Sequence, residues 1–146
     1  MIRRNNMLEG VHPDLVRVVT RAAALADING WDLVVLEGLR SVERERQLMA
    51  AGASMLKDPY RCRHVTGHAV DLAVYIRPVD ADGDGKDDDG IFGIRWDWPL
   101  YNRLGPLVQA AAVDCHVPIE WGGDWRDFKD GPHFQLPWEN YPNKEQ

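Results

Sequence analysis

The spacing of apolar residues along the chain changes between the period of a helix and the pattern of a strand. From Pro13 onward, apolar residues recur three and four positions apart, which predicts an amphipathic helix that ends at Asn29-Gly30. Residues 31–39 form a mostly apolar run that predicts a buried strand. Ser41 then precedes a second helical pattern over 42–52 and is expected to cap that helix.

The second half of the chain is predicted to add one long helix and several short strands. β-Branched residues alternate with a period of two over 69–76, which predicts a strand. A third helix is expected over 98–116, with a kink at Gly105-Pro106 because proline lacks a backbone N–H. Two short strands, 117–123 and 133–138, follow with a polar loop between them.

These elements predict an α+β fold, in which helices pack on one face of a small, mostly antiparallel sheet. The length of 146 residues suits one domain spanning the whole chain. A hydrophobic content of 45% and a charged content of 27% are ordinary for a soluble globular protein.

The charge balance and the termini narrow the class of protein. A formal net charge of -6 argues against a nucleic-acid binder, whose affinity would come from neutralising phosphates. The N-terminal segment lacks the apolar core of a signal peptide, and no stretch approaches the roughly 20 apolar residues of a membrane span. We therefore expect synthesis as a soluble cytoplasmic protein without membrane insertion. Cys62 and Cys115 are expected to stay free thiols.

The segment RHVTGHAVDLAV, residues 63–74, is the first candidate for chemistry. His64 and His68 have the spacing of a helical zinc-peptidase motif, but valine occupies the position of its glutamate and a glycine interrupts the helix. His64 and Asp71 remain, seven residues apart, with Gly67 between them to let the backbone turn. An imidazole before a strand and a carboxylate within it can converge on one cation, although a zinc site needs a third ligand.

The last loop and strand supply that third ligand. His133 opens the strand directly after Pro132, and Asp130 lies three residues earlier. A set of two histidines and one aspartate suits a zinc ion that keeps one position for water. Asp130 is close enough in sequence to take a proton from that water and to return it to a leaving amine.

Three blocks of the sequence resemble, in the same order, the zinc peptidase family of D-alanyl-D-alanine carboxypeptidases and L-alanyl-D-glutamate peptidases (VanY-like). RHVTGHAVDLAV is similar to its S-x-H-x-x-G-x-A-x-D signature, and EGLRSVERERQL resembles its strand–arginine–helix segment. GGDWRDFKDGPHFQL resembles its C-terminal segment in the phage endolysin branch. The resemblance, over roughly residues 8–136, implies a hedgehog/D-Ala-D-Ala peptidase-like fold with zinc at the sheet face. It assigns zinc to His64, Asp71 and His133, and the general base to Asp130, where the carboxypeptidase branches carry glutamate.

The resemblance also implies residues that contact the substrate. Arg40 matches an arginine placed near the substrate, where it can polarise the scissile carbonyl or hold a carboxylate. Cys62 stands where the signature has serine, and a thiol is a weaker hydrogen-bond donor than a hydroxyl. His68 and Trp125 are further candidates for substrate binding, with core packing as the alternative for Trp125.

The function implied by this resemblance is hydrolysis of stem-peptide bonds in bacterial peptidoglycan by a zinc metallopeptidase. We expect an L-alanyl-D-glutamate endopeptidase that serves as a phage endolysin in host lysis and acts after release from the cytoplasm to the periplasm. Two alternatives stay open: a D-alanyl-D-alanine carboxypeptidase of cell-wall metabolism, and a non-catalytic, metal-stabilised wall-binding module. The expected partner is peptidoglycan, and the protein is expected to act as a monomer without nucleic acid.

A separate acidic loop, DADGDGKDDDG, has the spacing of a calcium-binding loop. The residues at positions 1, 3, 5 and 6 of such a loop are Asp80, Asp82, Asp84 and Gly85. Position 12 is Ile91 instead of a bidentate glutamate, so Asp88 or Asp89 would have to complete the ligand shell. The alternative is a solvated acidic loop.

We predict that this loop binds calcium weakly, toward the millimolar end of the range for such loops, because the position-12 glutamate is missing. A modest change in activity should follow, since the loop comes directly after the strand that bears Asp71. Calorimetric titration with calcium tests the prediction, with the double variant Asp82→Ala/Asp84→Ala as control. Heat no larger than that of the control would leave only a solvated acidic loop.

Overall fold

Three α-helices and a six-stranded sheet form the part of the chain that the computed structural model describes, residues 1–78 and 93–143. The helices are α1 (Pro13–Asp27), α2 (Val42–Ala50) and α3 (Trp98–Cys115). The strands are β1 (Ile2–Arg3), β2 (Trp31–Glu37), β3 (Ala69–Ile76), β4 (Gly93–Arg95), β5 (Glu120–Trp121) and β6 (His133–Gln135). Short 3-10 helices cover Asn5–Leu8, Pro59–Arg61 and Gly122–Asp124.

Strand β3 is the centre of the sheet. One of its edges pairs with β2, and its other edge is shared by β6 at Ala69–Asp71 and by β4 at Val74–Ile76. All of these pairs are antiparallel, as is β5 with β6, while β1 runs parallel to β2. The prediction of an α+β fold with a mostly antiparallel sheet is therefore confirmed.

One face of the sheet packs on helices α1 and α3 and forms the core. Every second residue of β3 faces this core, as the period of two predicts, and Val70, Leu72 and Val74 are fully buried there. Phe134 of β6 joins them and is also fully buried. The residues between these positions, Asp71 and Ala73 on β3, therefore belong to the opposite face of the sheet.

The helix ends follow the predicted signals. Pro13 is the first residue of α1, and the Ser41 side chain caps α2 by accepting a hydrogen bond from Arg44 N at 3.0 Å. Helix α3 continues as one helix through Pro106. The kink expected at Gly105-Pro106 stays a prediction. No helix among the described residues has both the length and the apolar character needed to cross a membrane.

The short strands are where the expected boundaries were wrong. Strands β1 and β4 were not anticipated, since two or three residues carry too little alternation to be recognised. The expected strand over 117–123 is reduced to Glu120–Trp121 and the expected strand over 133–138 to His133–Gln135.

Both Cys62 and Cys115 are free, as expected.

Helix α3 approaches β5 at a glycine, and this contact generates a prediction. A Cβ atom added at Gly105 would lie 2.5 Å from the buried indole ring of Trp121, which is itself held by a 2.7 Å hydrogen bond from Nε1 to the Gly131 carbonyl. Gly105→Ala should therefore lower the free energy of unfolding by about 1–3 kcal/mol through overpacking, although alanine is the better helix former. Urea denaturation measures the change, with the exposed substitution Asn102→Ala in the same helix as control. A Gly105→Ala protein as stable as the wild type would show that the Trp121 ring can shift to accommodate the added methyl group without loss of stability.

Candidate metal centre

Asp71 and His133 face each other across the β3–β6 pair. They are direct partners in the strand register, so their side chains project from the same face of the sheet, away from the helices. The Oδ1 atom of Asp71 lies 3.2 Å from Nδ1 of His133. The first two predicted ligands are thus brought together by strand pairing, over a separation of 62 residues along the chain.

His64 reaches the same carboxylate from the loop before β3. Its Nε2 atom lies 3.1 Å from Asp71 Oδ1, while its Nδ1 donates a hydrogen bond to the Gly38 carbonyl at 2.9 Å. The backbone N–H of Arg40 in turn donates to the His64 carbonyl at 3.0 Å. The loop carrying His64 is therefore fastened to the segment that follows β2.

Gly67 makes the turn between His64 and Asp71 possible. Its φ of +79° lies in the left-handed region, and a Cβ atom there would approach the Gly10 carbonyl oxygen to 2.6 Å. Its own carbonyl accepts a 2.8 Å hydrogen bond from His12 N. This close contact places the loop against the start of α1, and the turn expected from the sequence is confirmed.

The second nitrogen of each histidine ring is also engaged. His133 Nε2 donates to the Gln135 side-chain oxygen at 2.8 Å, and Gln135 Nε2 donates to Glu120 at 3.2 Å. With Nδ1 of His64 bound to the Gly38 carbonyl, each ring turns its other nitrogen toward Asp71. One ligand atom from each of His64, Asp71 and His133 lies within 4.8 Å of the others. Hydrogen bonds of this kind fix ring orientation around protein-bound metals.

The electrostatics of the three groups keep Asp71 ionised. Burial opposes ionisation of Asp71, but hydrogen bonds with His133 and His64 hold the pKa of its carboxyl well below the usual range. For His133, burial disfavours the charged ring, whereas the Asp71 carboxylate raises its pKa. The site thus presents an ionised carboxylate flanked by two imidazoles.

A cleft of about 570 Å³ opens onto these side chains, and Asp130 lines it as well. The Asp130 backbone N–H donates to the Gly122 carbonyl at 3.0 Å, and Trp121 Nε1 donates to the next carbonyl, that of Gly131, at 2.7 Å. Burial and the nearby negative charge of Asp71 raise the pKa of Asp130. Asp130 is therefore a positioned carboxylate whose affinity for a proton is increased.

Comparison with known sequences identifies the family. A family model described as phage L-alanyl-D-glutamate peptidase matches residues 2–136. The chain belongs to this family. It is 30% identical over 141 residues to the L-alanyl-D-glutamate peptidase of Escherichia phage T5, with 88% of this chain and 90% of that protein covered.

Solved structures agree with this assignment. The L-Ala D-Glu endopeptidase ChiX of Serratia marcescens is 37% identical and superposes with a TM-score of 0.77, covering 98% of this chain and 95% of that one. The vancomycin-resistance D,D-pentapeptidase VanY, solved in complex with Zn(II), has a TM-score of 0.55 at 15% identity, covering 86% of this chain and 72% of that one. The VanY likeness concerns the fold alone, and it confirms the predicted fold class.

Arg40, which was predicted to contact the substrate, lines the cleft and is bound by two glutamates. Its Nε donates to Glu37, and its Nη1 donates to Glu45 at 2.7 Å and to the Cys62 sulfur at 3.4 Å. Hydrogen bonds to the two carboxylates outweigh the effect of burial and raise the pKa of Arg40. Its charge is thus compensated within the protein, and Cys62, in place of the signature serine, contacts the arginine.

The remaining candidates for substrate binding lie in different places. Trp125 lines the cleft, and its ring centroid is 5.0 Å from that of His133. Cys62 is buried at the cleft wall, where desolvation raises the pKa of its thiol. His68 lines a separate cavity of about 830 Å³, and its Nδ1 lies 2.7 Å from the Thr66 hydroxyl. The structure therefore brings Trp125 and Cys62 to the cleft but not His68.

Several residues of the site were not found from the sequence. Glu45 has no exposed surface and binds both Arg40 and Ser54, and Gln135 orients His133. Phe128 also lines the cleft, with 77% of its surface exposed and a left-handed φ of 54°. A helix position flanked by charged residues gives no signal of burial, so Glu45 resembled a surface residue. The predicted calcium ligands Asp80, Asp82, Asp84 and Asp89 lie outside the described residues.

Arg40→Met is predicted to destabilise the protein as well as impair it. The substitution leaves the fully buried Glu45 carboxylate without its cation, which costs roughly 3–5 kcal/mol of unfolding free energy. The double variant Arg40→Met/Glu45→Gln should recover most of that loss, because it removes the uncompensated charge. Urea denaturation of both variants measures the effect. A single variant within about 1 kcal/mol of the wild type would mean that Ser54 alone satisfies Glu45.

Proposed function

We propose that this family member is a zinc-dependent endopeptidase that hydrolyses the bond between L-alanine and D-glutamate in peptidoglycan stem peptides. The observation that carries the proposal is the convergence of His64 Nε2, Asp71 Oδ1 and His133 Nδ1 in one cleft with Asp130. Three metal-ligand atoms beside a separate carboxylate of raised pKa are the arrangement that a hydrolytic zinc site requires.

The chemistry of the donor set supports zinc. Two imidazole nitrogens and one carboxylate oxygen are ligands that zinc prefers, whereas calcium and magnesium favour oxygen ligands alone. Each imidazole also donates its remaining N–H to a carbonyl oxygen, from Gly38 and Gln135. Zinc held by these residues would supply the Lewis acidity that activates water and polarises the scissile carbonyl.

Asp130 is proposed to move the proton. Its carboxylate accepts a proton from the attacking water as the C–O bond forms, and returns it to the amine nitrogen as the C–N bond breaks. The raised pKa of Asp130 suits both steps, because the same group must serve first as a base and then as an acid. Arg40, held by Glu37 and Glu45, is proposed to orient its positive charge toward the carbonyl oxygen as negative charge develops there.

The choice of scissile bond follows from the relatives. The phage T5 protein and ChiX, which are 30% and 37% identical to this chain, are both named for the L-alanyl-D-glutamate bond. VanY, a D,D-pentapeptidase, is related at 15% identity. We further propose a phage endolysin that is made in the host cytoplasm and acts on peptidoglycan after release to the periplasm.

Purified protein should contain about one zinc ion per chain, because three protein ligands converge. His133→Ala should lose zinc and activity together, and elemental analysis by mass spectrometry measures the metal content. The His116→Asn variant serves as control, because His116 is exposed and does not line the cleft. Asparagine also tolerates the left-handed backbone at this position. Full zinc occupancy in His133→Ala would remove His133 from the ligand set.

Asp130→Asn should keep its zinc and its fold but lose roughly a hundredfold or more in turnover, because asparagine cannot accept the proton. The assay is digestion of purified peptidoglycan, with the new termini identified by mass spectrometry. New D-glutamyl amino termini support the proposed bond, whereas released D-alanine would indicate a carboxypeptidase. Asp127→Asn in the same loop is the matched control, and an Asp130→Asn rate equal to the control's would reject the role of Asp130.

A further inference from the structure

Two arginines, Arg61 and Arg63, lie against the ring of Trp138 at one wall of the cleft. The guanidinium carbon of Arg63 lies 4.0 Å from the centroid of the Trp138 ring, and that of Arg61 lies 4.7 Å away. All three side chains line the cleft that holds His64, Asp71 and His133. This arginine–tryptophan wall is not used by the proposed mechanism.

Arg63 is buried but is bound by neutral groups. Its guanidinium donates to the Leu136 carbonyl at 2.8 and 3.2 Å, to the Tyr141 carbonyl at 2.7 Å and to the Asn143 side chain at 3.4 Å. Only 3% of the residue is exposed, and no carboxylate of the described residues lies within ion-pair distance. Its positive charge is therefore not neutralised by an ion pair, although the negative charge of Glu120 acts on it at longer range.

Arg61 adds a second charge that is open to the cleft. The residue is exposed, and within the described part of the chain its side chain forms neither an ion pair nor a hydrogen bond. This contrasts with Arg40, whose charge is neutralised by Glu37 and Glu45. A cleft in a protein of net charge -6 thus contains one wall with two arginines that form no ion pair within the described residues. Such a wall favours an anionic ligand.

We propose that Arg61 binds the free α-carboxylate of the substrate's D-glutamyl residue, the residue whose amino nitrogen forms the scissile amide. This inference rests on the proposed function, because it names a group of that substrate. The N–H groups of Arg63 are largely taken by carbonyls, so Arg61 is the donor, while Arg63 adds charge and Trp138 orients the Arg61 guanidinium. The enzyme is then selective for stem peptides whose D-glutamate is unamidated.

Two synthetic muramoyl peptides test this selectivity, one with a free D-glutamyl α-carboxylate and one with the α-amide (D-isoglutamine). Wild-type enzyme should show a lower KM for the acid. Arg61→Met should raise the KM for the acid about fivefold, the size expected of a partly exposed charged hydrogen bond, with kcat and the amide's KM unchanged. Arg61→Lys should restore part of the preference, because it keeps the charge. Arg21→Met, an exposed substitution on α1, removes the same charge away from the cleft and should change neither KM.

The outcomes separate this inference from the proposed function. Equal changes in KM for both peptides, or no change in Arg61→Met, overturn the carboxylate site. Cleavage of neither peptide by the wild type overturns the proposed function. In that case calorimetry of both peptides with the Asp130→Asn protein and with its Arg61→Met derivative decides the carboxylate site separately: tighter binding of the acid that is lost on removing Arg61 supports it, and equal binding refutes it.

Discussion

The contact of one Asp71 oxygen with two histidines is the interaction on which the rest of this site depends. A carboxylate placed on the central strand of a sheet is expensive to bury unless it is paired. Asp71 is paired twice, by His133 from the neighbouring strand and by His64 from the preceding loop. Each partner belongs to a different segment, so the carboxylate joins three parts of the chain at one point. The same strand contributes Val70 and Leu72 to the core on its other face, so the carboxylate projects from a strand that is anchored by packing.

Core packing extends to the proposed general base through a short series of contacts. Helix α3 reaches the Trp121 ring at Gly105, and the indole N–H of Trp121 holds the Gly131 carbonyl next to Asp130. A shift of the helix against β5 would therefore move the carboxylate of Asp130 relative to the proposed metal ligands. This arrangement explains how a loop with little regular structure can hold the proposed general base in place, because a buried aromatic side chain anchors the loop.

The arginines that line the cleft have two kinds of partner. Arg40 lies between two carboxylates, a geometry that fixes its orientation and neutralises most of its charge. Arg61 and Arg63 lie against an aromatic ring, and Arg63 also binds neutral carbonyls, so neither forms an ion pair within the described residues. Ion pairs such as those of Arg40 favour precise placement of the guanidinium. Arginines without ion pairs favour long-range attraction of an anion.

Local patterns in the sequence determined the helix starts at Pro13 and Ser41, the alternation of β3 and the order of the chemical residues, H-x6-D followed by D-x-x-H. These features depend on neighbours within a few residues, so they can be predicted from the sequence without knowing the fold. The tertiary structure decided which distant groups meet. Burial of Glu45 against Arg40 and the orientation of His133 by Gln135 depend on strand register and on the close approach of loops. Only the tertiary structure showed that His68, directly after the turn at Gly67, lines a separate cavity, because the direction in which a side chain points depends on how distant segments pack.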